Sequence, residues 1–332
     1  MNKLFIFKLF NLILLLLISV MLLSCQRLET KKGSVYAFST LIDISITSNN
    51  AKDDYKNIEE IFLYYHKLCD NYNTYEGINN IKTINDIRSD VEVSSDLREI
   101  INYALIFMKK TGGYFNPFIG SLSNIYKELI TSCDLSKIPS DEIINNELEK
   151  MNNTKIVVKD DLISLQGAGL IDLGAIGKGF ALMKVLDYLK SHNIKTYLIN
   201  AGSSSILVGE KENGKNYNVG VKEIDGLVIQ KKNRAFGTSS IQEQSAIIDG
   251  VLYHHIINPF TGKMDYLYDT VVVVGDNPLL MDLYSTAFFM MDEDKIKGLQ
   301  IEEIEEIYLC KDHKVICEYK YELFSEASNE NH

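Results

Sequence analysis

The stretch GAGLIDLGAIGKGFALMKVLDYL, residues 167–189, changes character halfway along. Its first half is punctuated by Gly169, Gly174, Gly177 and Gly179. Its second half is amphipathic: Phe180, Ala181, Val185, Leu186 and Leu189 recur at helical spacing, which predicts a helix over residues 177–189. Residues without a Cβ let the backbone approach a ligand before the helix begins, and Lys178 adds a cation near the positive end of the helix dipole. These features suit a phosphate-bearing ligand at the turn, and they suit equally a structural turn whose lysine is solvated. The spacing is not that of a Walker A loop, which places four residues before Gly-Lys and a Ser or Thr after it. The strand–helix–strand setting of a dinucleotide fingerprint is missing too.

Working outward, residues 35–48 have the β-branched and aromatic content of a strand or hairpin. In residues 55–69, Ile58, Ile61, Phe62, Tyr65 and Leu68 form the stripe of an amphipathic helix, followed by a polar, Asn-rich loop. Ser94 or Ser95 caps a helix over residues 96–110, ended by Gly112-Gly113. A turn into another helix follows, then a charged helical segment over 134–155 and short paired strands at 155–158 and 162–165. Beyond the central helix come strands at 196–200, 205–208, 218–221, 227–231, 246–249, 254–257 and 268–274. A helix over 279–291 and strands around Tyr308 and Val315 complete the chain. No linker and no internal repeat divides it, so an α+β fold of mixed strands and helices is expected, intertwined as one two-lobed domain closing on a cleft.

The 332 residues carry 34 Lys+Arg against 45 Asp+Glu, a net charge of −11, which argues against nucleic acid as the partner. Five cysteines at 25, 69, 133, 310 and 317 form no CxxC pair and no dense disulfide framework. Cys310 and Cys317 are spaced compatibly with a bond across a hairpin. Residues 1–24 read as a signal peptide: Lys3 and Lys8 precede an apolar run over 9–23, too short for an ordinary membrane span of roughly 20 residues. Its ending, Leu22-Leu23-Ser24-Cys25, resembles the lipobox of bacterial lipoproteins, which implies lipidation at Cys25 and a membrane tether over 25–34. An uncleaved anchor is the alternative. Either places the remainder on the extracytoplasmic, periplasmic side.

Several further blocks fall in a telling order. Thr111-Gly-Gly-Tyr-Phe-Asn-Pro117 precedes the glycine segment; Leu198-Ile-Asn-Ala-Gly202, Thr238-Ser239, Tyr253-His-His-Ile-Ile-Asn-Pro-Phe-Thr-Gly262 and Met281-Asp-Leu-Tyr-Ser-Thr-Ala287 follow it. With IDLGAIGKGFA at the centre, this series resembles the ApbE-like flavin transferases, and the resemblance covers roughly residues 35–310. It implies an ApbE-like domain over 35–325 with a polar tail at 326–332, FAD as substrate and Mg²⁺ as metal. The implied reaction transfers FMN from FAD to a Thr or Ser hydroxyl of an acceptor flavoprotein, releasing AMP. A Mg²⁺-dependent FAD pyrophosphatase and a non-catalytic FAD-binding lipoprotein are the alternatives.

Carried over by motif, the flavin nucleotide contacts are Tyr72, Tyr114, Phe115, Asn116, Asp172, Lys178, Ile256 and Ile257. The metal set is Ala175, through its backbone oxygen, with Asp282, Ser285 and Thr286. Asp282 and Thr286 are four apart, so a carboxylate and a hydroxyl share one helix face, and hard oxygens of this kind suit Mg²⁺. His255 is the expected acid–base group, with Asp282 the other catalytic residue and Asn258 positioned to orient the imidazole. Phe38-Ser39-Thr40 stands in a weakly matching early block, where Phe38 reads as core. Asn116, Asn258 and Ser240 depart from the family pattern of Asp, Asp and Gly. An amide keeps the hydrogen bonding of a carboxylate and loses its charge.

Overall fold

Alternating apolar residues in the first described segment make one face of a strand, and the chain folds that face inward as a hairpin. The structure is a computed structural model describing residues 28–222, 224–299 and 301–321, so the expected signal segment, Cys25 and the polar tail lie outside the described residues. Strand β1 (Glu29–Ala37) pairs antiparallel with β2 (Thr40–Ser48), and Val35, Ala37, Ile42, Ile44 and Ile46 are buried. β1 begins at Glu29, inside the stretch expected to be tether. Its polar residues are paired with the apolar strand beside them.

Eight strands form one antiparallel sheet in the order β1, β2, β6 (Thr196–Ala201), β7 (Ser205–Val208), β10 (Arg234–Ser240), β13 (Thr270–Gly275), β14 (Ile304–Lys311) and β15 (Lys314–Lys320). β13 reads TVVVVG and is buried at every position. The continuous run means that both faces of the sheet are covered there. On one side lie three helices packed in succession: α1 (Ala51–Cys69) against α6 (Gly174–Ser191), and α6 against α7 (Pro278–Phe289), which rests on β10 and β13. On the other side Val208, Phe236, Val272, Val274, Tyr308 and Cys310 pack with the hairpin of β8 (Tyr217–Gly220) and β9 (Val228–Lys231).

The remaining elements build the other lobe. They are α2 (Ile81–Ile87), α3 (Ser95–Lys110), α4 (Gly120–Ser132), α5 (Asp141–Asn152), the small sheet β3 (Val91–Glu92), β5 (Leu162–Gln166), β4 (Lys155–Lys159), and the hairpin β11 (Ser245–Ile248) with β12 (Val251–His254). Ile163 and Leu165 of the small sheet join the same buried cluster as the helices on the large one, so the lobes share a core. A short helix α8 (Glu293–Gly298) follows α7. The expected fold class, α+β with mixed helices and antiparallel sheets, is what the chain adopts. Among the described residues no helix is long and apolar enough to cross a membrane.

Three expectations change. Cys310 and Cys317 are both free thiols. Cys317 stands opposite Leu309 and packs toward the principal core, whereas Cys310 projects to the other face among the β8–β9 residues. Adjacent strand positions point to opposite faces, so the two sulfurs are turned apart. The strand expected at 254–257 ends at His254, and β10 runs through a stretch with no strand expectation. The central helix starts at Gly174, three residues early, where the Asp172 carboxylate accepts the Gly174 N–H at 2.6 Å.

Candidate active site

Four glycines expected to admit a ligand instead admit protein. A Cβ on Gly179 would sit 2.7 Å from the Asp282 Cβ and 3.0 Å from the Pro278 carbonyl oxygen; one on Gly177 would sit 2.9 Å from the Phe38 ring. Gly169 faces Thr154 and Gly174 faces the Asp172 carboxylate. These contacts bring α6 close enough to α7 for the Gly179 N–H to reach Asp282 Oδ2 at 2.9 Å. In a regular helix that N–H serves the carbonyl of Ala175, which therefore has a competitor for its helical partner. From the sheet side, Gly237 of β10 makes the same allowance, because a Cβ there would fall 2.1 Å from the Met281 oxygen.

Asp282 is the buried charge at this junction. Ser205 Oγ donates to its Oδ1 at 2.7 Å, and among the described residues no cation lies within ion-pair distance. Burial raises its pKa, opposed by Lys178, the Ser205 hydroxyl and the Gly179 N–H. Ser285 Oγ and Thr286 Oγ1 turn back to the Asp282 carbonyl at 2.9 and 3.3 Å, and both meet Ser239 Oγ, at 3.0 and 3.4 Å. Each hydroxyl oxygen retains acceptor capacity while donating. One uncompensated carboxylate with neighbouring hydroxyl and carbonyl oxygens fits Mg²⁺, which takes few protein carboxylates and completes its shell with water and phosphate. Two site residues are not announced by the sequence: Ser205, the partner of this carboxylate, and Ser239, the partner of the Ser285 and Thr286 hydroxyls. The sequence places Ser205 only at the start of a short strand, and it is the strand order that brings it to α7.

His255 lies just beyond β12. Its Nδ1 is 2.8 Å from the Glu243 carbonyl oxygen, which only accepts, so Nδ1 carries the proton and Nε2 keeps its lone pair. The residue is exposed to solvent, yet protein atoms around the ring desolvate it. That desolvation lowers its pKa, the Glu243 carbonyl opposes the shift, and Lys178 and His254 add to the lowering. Lys178 thus acts on both His255 and Asp282, residues from separate sequence blocks. The expected orienting bond from Asn258 is absent: its Oδ1 accepts the Phe260 N–H at 2.8 Å, and its Nδ2 donates to Asp265 at 2.5 Å. Asn258 closes a turn, a task an amide performs with both its ends. His254 is buried, with Nδ1 accepting the Ile256 N–H at 3.2 Å.

The expected nucleotide contacts divide. Tyr72 is half exposed, feels the charge of Asp172, and has Lys127 Nζ 3.5 Å from its ring centroid. Tyr114 meets Phe260 edge-on at 4.9 Å, joining the 111–117 and 253–262 blocks. Asn116 Oδ1 accepts the Phe118 N–H at 3.0 Å and shapes its turn. Phe115 is buried against Phe107, and Ile256 and Ile257 are buried in two different clusters. Those three side chains belong to the core, leaving only their backbones for a ligand. Phe38 is half-buried rather than pure core. It sits with Ser39 in a turn where both have positive φ, 52° and 59°, held by the Phe38 N–H bonding His66 Nδ1 at 3.3 Å. Backbone of this kind is uncommon for a bulky residue and persists only where its surroundings fix it.

Known proteins share this fold. The chain is 26% identical over 250 residues to an FAD:protein FMN transferase of Treponema pallidum, covering 68% of each chain. It is 24% identical over 298 residues to one of Chlamydia pneumoniae, covering 86% of this chain and 92% of the relative. The crystal structure of the ApbE protein of Thermotoga maritima superposes with a TM-score of 0.76 at 24% identity, covering 89% of this chain and 98% of that one. The flavin transferase ApbE of Vibrio cholerae gives 0.69 at 19% identity, covering 90% and 99%. The ApbE family profile matches residues 38–308, running from the strained turn at Phe38 to β14 and spanning all the sequence blocks described above. Sequence blocks and fold coincide over that span, and the chain belongs to the ApbE family.

Proposed function

We propose that this protein is an FAD:protein FMN transferase that moves FMN from FAD to a Thr or Ser hydroxyl of an acceptor flavoprotein and releases AMP. The observation that carries the proposal is the position of Lys178, whose charge reaches both the buried Asp282 and the neutral His255. A dianionic pyrophosphate placed there meets a cation and the start of α6, and a base stands on the same side. The acceptor oxygen forms a bond to the FMN phosphorus while the bond between that phosphorus and the bridging oxygen breaks, so AMP carries the bridging oxygen away. The hydroxyl proton goes to Nε2 of His255, the ring nitrogen left free by the bond to Glu243.

Asp282, Ser285, Thr286 and the Ala175 carbonyl would hold Mg²⁺, which when bound neutralises phosphate charge. Ser205 and the Gly179 N–H orient the Asp282 carboxylate for that task. Tyr72, Tyr114 and Phe260 offer ring surfaces for the planar parts of FAD. The lipobox-like ending at Cys25 supports anchoring of the domain at the extracytoplasmic membrane surface, where the acceptor would also reside. Incubation with FAD, Mg²⁺ and an acceptor domain tests the reaction by separating acid-stable, protein-bound flavin from free FMN. Covalent flavin on the acceptor is expected. Release of free FMN indifferent to acceptor would identify a pyrophosphatase, and saturable FAD binding with neither product would identify a binding protein. Loss of lipid labelling in Cys25→Ser tests the anchor.

A further inference from the structure

A cavity of about 220 Å³ opens beside Tyr72, between the loop after α1 and helices α2 and α4. Its polar lining is nearly all committed. Lys82 and Asp86 form an ion pair with each other, and the Asn85 amide is spent on both the N–H and the carbonyl of Ile171. The Tyr72 ring is faced by the Lys127 cation, 3.5 Å from its centroid. Asn124 is different: its Oδ1 is buried and has no partner among the described residues. Burying a carboxamide oxygen without a donor is unfavourable, and such groups in folded proteins ordinarily have a partner. The terminal torsion of Asn is soft and roughly two-fold, so either end of the amide can turn toward the cavity.

We infer that Asn124 is a specificity-determining residue that binds the imide edge of the flavin ring in the cavity beside Tyr72. The inference rests on the flavin-nucleotide reading above. The imide presents an N–H flanked by two carbonyl oxygens, so a carboxamide pairs with it through one accepted and one donated hydrogen bond. Placement agrees with this occupant. Leu170 lines the cavity two residues before Asp172, whose carboxylate accepts the Gly174 N–H at the start of α6, so a nucleotide with its phosphates at Lys178 has this cavity on the side from which the chain enters the helix. Adenine is the other planar edge in FAD that an amide can read. The Lys127 cation over Tyr72 favours the carbonyl-rich imide over the amine-bearing adenine edge.

Binding titrations on the purified full-length protein, without added metal, test this with FAD, FAD methylated at the imide nitrogen, and ADP. The wild type is expected to bind FAD about tenfold more tightly than the methylated analogue, the scale of a hydrogen bond whose loss leaves a buried group unpaired. Asn124→Leu is expected to bind FAD and its analogue equally, both near the weaker value, with ADP unchanged. A merely structural role for Asn124 would weaken FAD without erasing the difference between FAD and its analogue. Equal binding of FAD and its analogue by the wild type overturns the inference without need of any variant. Weakened ADP binding in Asn124→Leu with FAD discrimination intact would assign the cavity to adenine and also overturn it. Failure of the wild type to bind FAD at all would instead bring down the flavin-nucleotide reading on which the inference stands.

Discussion

The junction of α6, α7 and β10 differs in construction from the aromatic rim at Tyr72, Tyr114 and Phe260. At the junction, regular elements meet at glycine contacts, and the single carboxylate is fixed by a backbone N–H and a serine. On the rim, rings stand on loops and turns, with Tyr72 44% and Phe260 54% exposed. Under the proposed function the contrast follows from what each part would handle. Stabilising charge that develops in a transition state requires groups already fixed in place, because reorganising dipoles during reaction costs free energy. A planar ring is held by contact area, which tolerates adjustment in the loops that supply it.

The sharpest break of that contrast is Asp282→Ala. Transfer of FMN should fall by about 10²- to 10³-fold, the scale of several kcal/mol of charge stabilisation. FAD affinity without metal should change far less, because the rim remains. Steady-state kinetics beside metal-free binding separate the two. Unchanged turnover with the same Mg²⁺ requirement would remove Asp282 from the metal set.

His255 feels the charge of Lys178 in the junction's central helix, and its expected effect is next in size. His255→Ala should slow transfer by about 10²-fold, within the usual range for a positioned base. Its lowered pKa keeps Nε2 unprotonated at neutral pH, so the wild-type rate should fall in acid only below the usual histidine range. The pH profile of kcat/KM in the variant should lack that acid limb. An acid limb of equal size in both proteins would assign the titration to another group.

Gly179→Ala tests the rigidity of the junction itself. The added methyl meets the Asp282 Cβ and the Pro278 oxygen, so α6 and α7 must move apart. A loss of about 1–3 kcal/mol of stability is expected, on the scale of overpacking a core. Denaturant unfolding measures it. The same addition at Gly214, where a Cβ meets nothing within 4 Å, tests only the cost of its positive φ of 72°. Equal losses at the two sites would mean that helix contact is not what Gly179 provides.

Periodicity made one part of this architecture legible and left the other hidden. The stripe from Ile58 to Leu68, the cap at Ser94 and the Val run of β13 each announce their element, because burial selects apolar residues at the element's own spacing. β10 reads RAFGTSS, with Gly237 and Ser239 at positions that serve α7 rather than the core, so no apolar alternation survives. α2 has a capping box between Asn80 and Thr83, but Thr in place of the usual Glu or Gln made it easy to pass over. The site residues split the same way. Asp282, Thr286 and Lys178 lie within continuous blocks, whereas Ser205 becomes a partner of Asp282 only through strand order. The glycine segment carried a correct signal of close approach, while the identity of what approaches depended on the fold.

The smallest expected effect concerns how the rim is held. Asp70 anchors the loop that carries Tyr72: its carboxylate accepts the N–H groups of Tyr72 and Asn73, the Asn73 amide and the Tyr75 hydroxyl, at 2.7 to 3.1 Å. Burial by itself would raise its pKa, and these four hydrogen bonds outweigh burial and hold it below the ordinary 3.8. A carboxyl whose native pKa is lowered supplies stability above its unfolded pKa and loses it as the pH falls through the native value. Asp70→Asn should therefore lower the Tm at pH 7 by about 2–4 °C, the scale of about 1 kcal/mol after allowing for solvent around the loop. As the pH falls through the native value the wild-type group becomes protonated, and the difference between the proteins should shrink toward zero. A Tm difference that persists undiminished in acid would show that Asp70 holds the Tyr72 loop by shape rather than by charge.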